Sequence, residues 1–238
     1  MHTISIGNMT IDVVRKEIKN MHLAVYPPYG RVRVAAPLRM DDEAIRLFVQ
    51  SKIGWIRRQQ SRYKGQNRET PREYVNRESH YFQGKRYLLR VNEQDSPPRV
   101  IIKNKTYLDL YVRPNATVEQ RKSVLNEWYR KELRELAIPL VAKWEPIIGI
   151  EVNELGIKLM KTKWGTCNIE ARRIWINLEL AKKPVSCLEY ILVHEMIHLL
   201  ERHHNDRFKA YLKKFIPNWK LLRDELNQLP ASHWGWKY

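Results

Sequence analysis

The pentapeptide His194-Glu195-Met196-Ile197-His198, set in an apolar run, constrains this chain more than any other feature. On an α-helix, residues i and i+4 lie one turn apart on the same face, so both imidazoles can reach one ion while Glu195 stands beside them. Neutral nitrogen ligands around Zn²⁺ lower the pKa of a bound water to about 7, and a neighbouring carboxylate can take its proton as the water attacks a carbonyl carbon. The pattern therefore predicts a helix here and zinc-hydrolase chemistry on it.

Two histidines seldom hold a catalytic zinc alone; three protein ligands plus water is the usual arrangement. The candidates for the third are Glu201, His203 and His204. Glu201 lies one turn past His198. His203 and His204 fall where the helix should break, because Asn205 or Asp206 is a natural N-cap for a following helix that carries Phe208, Tyr211, Leu212 and Phe215. A turn there can fold a histidine back toward the ion. Spacing alone leaves the choice open.

At these residues the chain resembles the YgjP-like and SprT-like zinc metallopeptidases. His194-Glu195-x-x-His198 is followed after five residues by His204 and then by Phe208, similar to that family's extended H-E-x-x-H-x5-H-x3-F pattern. Lys163-Trp164-Gly165-Thr166-Cys167-Asn168 resembles its R-W-G-S-C-S loop, and Ile174-Trp175-Ile176-Asn177 its strand before the active helix. The likeness spans Thr117 to Pro230 well and the N-terminal half more loosely. It implies that His194, His198 and His204 bind zinc and that Glu195 is the general base. Thr166 for Ser and Lys163 for Arg depart from the pattern.

Other residues carry simpler expectations. Cys167 and Cys187 read as packing, and Trp164 either lines a cleft or pins its loop. His2, His22, His80 and His233 lack partners at ligand spacing and read as surface residues. Lys182 and Lys183 read as a solvated turn. A transition-state oxyanion needs a donor, for which Tyr190, His203 and Tyr211 are the candidates.

Composition sets the outer bounds. A chain of 238 residues with 43% apolar content can build a core. Its 43 Lys and Arg against 26 Asp and Glu give a formal charge of +17, which attracts polyanions. This keeps a second class open: a basic nucleic-acid-binding module with a structural zinc, or a protease recruited to DNA. Two cysteines are too few for a disulfide framework, and Met1 to Arg15 lacks a continuous apolar segment. With no run long enough to span a membrane, the expectation is a cytoplasmic protein. Oligomeric state is left open.

Along the chain, strands are predicted at Thr10–Arg15, His22–Tyr26 and Arg31–Ala35, then one helix from Asp41 to about Arg62. Ser61 to Ser79 reads as a mobile basic loop carrying Arg62, Lys64, Arg68, Arg72 and Arg77. Strands resume at Tyr81–Val91, with a hairpin of Arg99–Ile102 and Tyr107–Arg113 turning at Asn104-Lys105. Thr117 and Gln120 form a capping box for a long helix that Pro139 should kink or end. Strands at Gly156–Lys161 and Arg173–Leu180 precede the motif helix, for which Ser186 and Glu189 are spaced as a second capping box. A helix at Asp206–Phe215 and an aromatic C-terminus follow. No internal repeat is visible.

The reading is an α+β protein: a β-rich region with one helix over 1–114, then a zincin-like metallopeptidase domain over 115–238 whose active helix lies against a small sheet. Zinc and Glu195 together would activate water to cleave a peptide bond. The strand near Arg173–Leu180 would align an extended peptide by β-augmentation.

Overall fold

The structure is a computed structural model that describes residues 2–26, 29–64, 72–160 and 163–228. It divides into two compact units, one within Met1–Arg68 and one that begins at Glu69. The division expected at 114/115 falls inside the second unit. There Phe82, Leu89, Leu108 and Leu110 share one core with Leu125, Tyr129 and Leu133.

In the first unit, β1 (His2–Ile6), β2 (Met9–Lys16), β3 (His22–Tyr26) and β4 (Arg31–Pro37) form a sheet of order β1-β2-β4-β3. The central pair is parallel and the outer pairs antiparallel. Alternation along β2 and β4 buries Ile11, Val13, Val32 and Val34 beneath Ile45, Val49 and Ile56 of the helices. The helical stretch is two elements, α1 (Asp42–Ser51) and α2 (Ile53–Lys64). The Lys52 amide donates to Val49 O at 2.9 Å, a tight closure that ends α1.

In the second unit, β5 (Ser79–Phe82), β6 (Lys85–Glu93), β7 (Arg99–Lys103) and β8 (Tyr107–Val112) form a sheet of order β5-β6-β8-β7. Its pairing senses repeat those of the first sheet, again with a parallel central pair. The backbone pattern thus recurs where no repeat is visible in the residues. The β7–β8 turn falls at Asn104 and Lys105, whose φ values of 51° and 54° suit the central positions of a tight turn closed by the Thr106 amide on Lys103 O at 3.2 Å.

Residues 65–71 of the expected basic loop, including Arg68, and the side chains of Arg62 and Lys64 lie outside the described residues. The end of that stretch is held rather than mobile. Arg72 donates to Ser79 O and to Glu78 at 3.5 Å, and Glu78 Oε2 accepts the amides of Glu73 and Tyr74 at 3.0 and 2.7 Å. His80, expected on the surface, is 1% exposed.

The long helix α3 (Val118–Ile148) starts at the Thr117–Gln120 capping box and runs past both Pro139 and Pro146. An interior proline costs roughly 3 kcal/mol. Its buried stripe continues on both sides of Pro139, through Leu133, Ala137, Val141 and Trp144, and that burial outweighs the break. Gly149, at φ 79°, ends the helix in the left-handed region.

The remaining strands are β9 (Glu154–Lys158), β10 (Gly165–Asn168) and β11 (Arg173–Asn177), in the order β10-β11-β9. A 3-10 turn over Leu178–Lys182 leads to α4 (Val185–Ile197), followed by α5 (Asp206–Phe215) and α6 (Trp219–Gln228). α4 is buried nearly all round, touching α3, α5, α6, β10 and β11. The second capping box does not form. Pro184 is the N-cap without a side-chain bond, and Glu189 instead accepts from Lys143 Nζ at 2.7 Å and Trp144 Nε1 at 2.8 Å on α3. Among the described residues, no helix is long and apolar enough to cross a membrane.

Candidate metal centre

His194 and Glu195 occupy the last turn of α4, and His198 is its C-cap, still in helical conformation at φ −62°, ψ −19°. Helical backbone through the cap keeps the two imidazoles on one face, their centroids 5.2 Å apart. The chain then turns through residues 199–204 and brings His204 back to both, at 4.9 Å from His194 and 4.7 Å from His198. One potential ligand atom from each of the three lies within 4.8 Å of the others. His204 Nε2 and His194 Nε2 are 3.0 Å apart, close to the roughly 3.3 Å that separates two nitrogens bound tetrahedrally to one zinc.

The other two candidates do not join the cluster. The Glu201 carboxylate accepts the His203 amide at 3.3 Å, and His203 is exposed. Glu201 acts instead through its backbone carbonyl, 3.1 Å from His198 Nδ1. A carbonyl only accepts, so Nδ1 carries the proton and Nε2 keeps its lone pair for an ion. Asn205 caps α5, its Oδ1 accepting the Phe208 amide at 3.0 Å. Phe208 is thereby set against all three imidazoles, at 4.9, 4.8 and 4.7 Å from His194, His198 and His204. Burial is the main cause that holds all three histidine pKa values below the ordinary range, His194 most of all. All three are therefore neutral near pH 7, the state in which imidazole binds metals.

Glu195 is buried beside the cluster, and burial pushes its carboxyl up to about 8 against the opposing charge of Lys163. The β10 backbone lies directly on it: a Cβ on Gly165 would stand 2.6 Å from both Cγ and Oε1 of Glu195. The segment is fixed from behind by Asn177, which is 0% exposed. Its Nδ2 donates to Met160 O at 3.0 Å and Lys163 O at 2.8 Å, and its amide donates to Trp164 O at 2.8 Å. Gly165 entered the sequence reading only as a member of a matching loop and Asn177 only as a member of a matching strand; the closeness of a backbone to a carboxylate leaves no periodicity to read.

Trp164, at 1% exposed, pins its loop and lines no cleft. Lys183 is buried near it, 5.8 Å from the ring centroid, and Lys182 pairs with Glu179 at 2.8 Å, so neither is a solvated turn residue. Cys187 is buried, its thiol pushed up to about 12 by burial and Glu225; Cys167 is pushed up to about 11 by burial and then Glu195. Neither belongs to the histidine cluster. Of the oxyanion candidates, Tyr190 packs edge-on against His194 at 6.0 Å, and Tyr211 stacks on Phe215 and accepts from Arg207 at 3.3 Å.

A groove of about 900 Å³ opens beside His198, running along β10 from Thr166 to Asn168 and bordered by Leu199, Leu200 and Arg202. The strand expected to align a peptide, β11, is the central one, paired to both β10 and β9, so both its edges are occupied. β10 is the edge strand of this sheet, paired within it to β11.

A helix-borne histidine cluster beside a buried carboxylate, in an α+β chain, defines a metal-dependent class of protein. The chain belongs to the YgjP-like family, whose model, described as "YgjP-like, metallopeptidase domain", matches residues 19–229 and so enters both compact units. A solved structure of the metallopeptidase zymogen of Pyrococcus abyssi abylysin is 20% identical at a TM-score of 0.35, covering 37% of this chain and 89% of that one; at that score the likeness carries no argument. No curated protein matches the chain.

Proposed function

We propose that the chain is a zinc-dependent peptidase with a zincin-like second unit, in which His194, His198 and His204 hold the ion and Glu195 is the general base. The observation that carries this is the convergence of three neutral imidazole nitrogens beside one buried carboxylate. The donor set suits the group: three nitrogens leave a fourth position open, whereas structural zinc sites are closed by four protein ligands and are usually rich in cysteine. When bound, zinc supplies an acidified water and polarises the carbonyl under attack. Burial alone favours the protonated Glu195 carboxyl, and the charge of a bound ion would favour the carboxylate; in that form Glu195 takes a proton and returns it to the leaving amine, while the β10 backbone and Phe208 keep bulk water from the proton path. The edge strand β10 aligns an extended peptide by strand addition along the groove.

The test compares wild-type protein and Glu195→Gln, both zinc-loaded, on a quenched-fluorescence peptide library. Glu195→Gln should retain its zinc and lose about 10² to 10⁴ in rate. Near-normal turnover by the zinc-loaded variant would remove Glu195 from the mechanism. Absence of wild-type turnover on every peptide, with and without duplex DNA, would remove the peptidase reading.

A further inference from the structure

The groove along β10 has a chemical character of its own. Alternation along β11 sends Ile174 and Ile176 into the core and leaves Arg173 and Trp175 on the groove face. The Trp175 ring lies over Gly156 of β9, where a Cβ would stand 2.4 Å from its Cε3, and Lys158 Nζ stands over the ring at 4.7 Å, adding a third cation to this face. At one end, Arg202 follows the turn whose Glu201 carbonyl is bound by His198, which ties its position to the metal cluster. Among the described residues Arg202 has no carboxylate partner. Arg173 is only partly used: it meets Glu154 through Nη1 at 3.2 Å, and its Nε is buried with no acceptor. The one acidic lining residue, Glu170, sits on the β10–β11 hairpin turn.

We propose that this groove selects substrates carrying a carboxylate beside the scissile bond, which Arg202 and Arg173 would bind. The inference rests on the peptidase reading. Arg202, Arg173 and Lys158 against Glu170 and Glu154 leave the groove a net positive charge, and a guanidinium with unused donors forms its strongest bonds to carboxylate oxygens. The carboxylate can come from a Glu or Asp side chain or from the peptide's own C-terminus.

The decisive measurement is binding, which needs no turnover. Zinc-loaded Glu195→Gln protein is titrated at about 0.15 M salt, where diffuse surface attraction is screened. The probes are fluorescent hexapeptide pools with one position fixed as Glu or as Gln, each with a free or an amidated C-terminus. We expect the preferred carboxylate form to bind about tenfold tighter than its amide counterpart. Adding Arg202→Glu should abolish or invert that preference, whereas adding Lys122→Glu, an equal charge change on an exposed face of α3, should not. If only free C-termini discriminate, the carboxylate is terminal; if Glu against Gln discriminates, it is a side chain. Equal binding of all carboxylate and amide pools, or equal effects of the two charge reversals, would overturn the proposal. Cleavage of the same pools by wild-type protein is read separately: a binding preference without any cleavage would count against peptidase activity and leave carboxylate recognition standing.

Discussion

Gly165 and Glu195 are in contact across β10 and α4 so closely that one methyl group on the glycine would fall 2.6 Å from the carboxylate side chain. Neither can yield cheaply, because one is strand backbone and the other is walled in by the core. Gly165→Ala should therefore displace Glu195. Overpacking of this kind costs about 1–3 kcal/mol, and misplacing a reacting group by about 1 Å can cost roughly 10²-fold in rate. Melting temperature and kcat on a cleaved peptide should both fall while zinc content holds; a fully active variant of unchanged stability would show that the strand moves aside.

The three histidines should be separable from their neighbours by metal analysis. His194→Ala, His198→Ala and His204→Ala should each weaken zinc by more than the roughly 10- to 100-fold that even outer partners of a metal site contribute. His203→Ala should leave the stoichiometry intact. Full zinc occupancy in His204→Ala combined with loss in His203→Ala would transfer the third ligand.

His80 provides a pH signature remote from this cluster. Burial first, then the charges of Arg72 and Lys182, lowers its pKa to about 3, with the Glu78 carboxylate facing it at 3.0 Å. Unfolded, the imidazole takes a proton below about 6.5. Between about 6.5 and 3 the unfolded chain thus binds the extra proton, and stability falls as pH falls. From pH 7.5 to pH 5 the loss from this residue should be about 2 kcal/mol. Urea unfolding of wild-type protein and His80→Gln at both pH values checks it, and equal pH slopes would exclude His80 as the cause.

Asn177→Ala should be more damaging than its small volume change suggests. It strips the bonds to Met160 O and Lys163 O in a fully buried place, at about 1–3 kcal/mol for each group left unsatisfied. Limited proteolysis should then cut near residues 160–165 faster than in wild-type protein; an unchanged digestion pattern would mean that other contacts hold this segment.

Much of this architecture was legible because it rests on local rules. Asn104-Lys105 marks a hairpin and Thr117 with Gln120 a helix start, and Asn205 places the N-terminus of α5 where the structure has it. The gathering of His194, His198 and His204 was legible only through the resemblance to the family's extended pattern, whose last residue, Phe208, is the one against which all three rings pack. What escaped depends on distant partners. Glu189 has the spacing of a cap but is taken by Lys143 and Trp144, and Pro139 looks like a stop until the packing of α3 is known. Strand order is of the same kind: nothing within Arg173–Asn177 says that both neighbours are occupied.

The histidines differ in depth, His194 buried, His198 intermediate and His204 exposed. On the proposed ligand set, that gradient gives the bound ion a preferred exit. His204, whose turn is anchored by the Asn205 cap, would be the ligand most readily released, and His194 and His198 would stay with the buried end of α4. The residence time of the ion is then governed by how often a short surface turn opens, and weakening the cap would shorten it without altering any ligand.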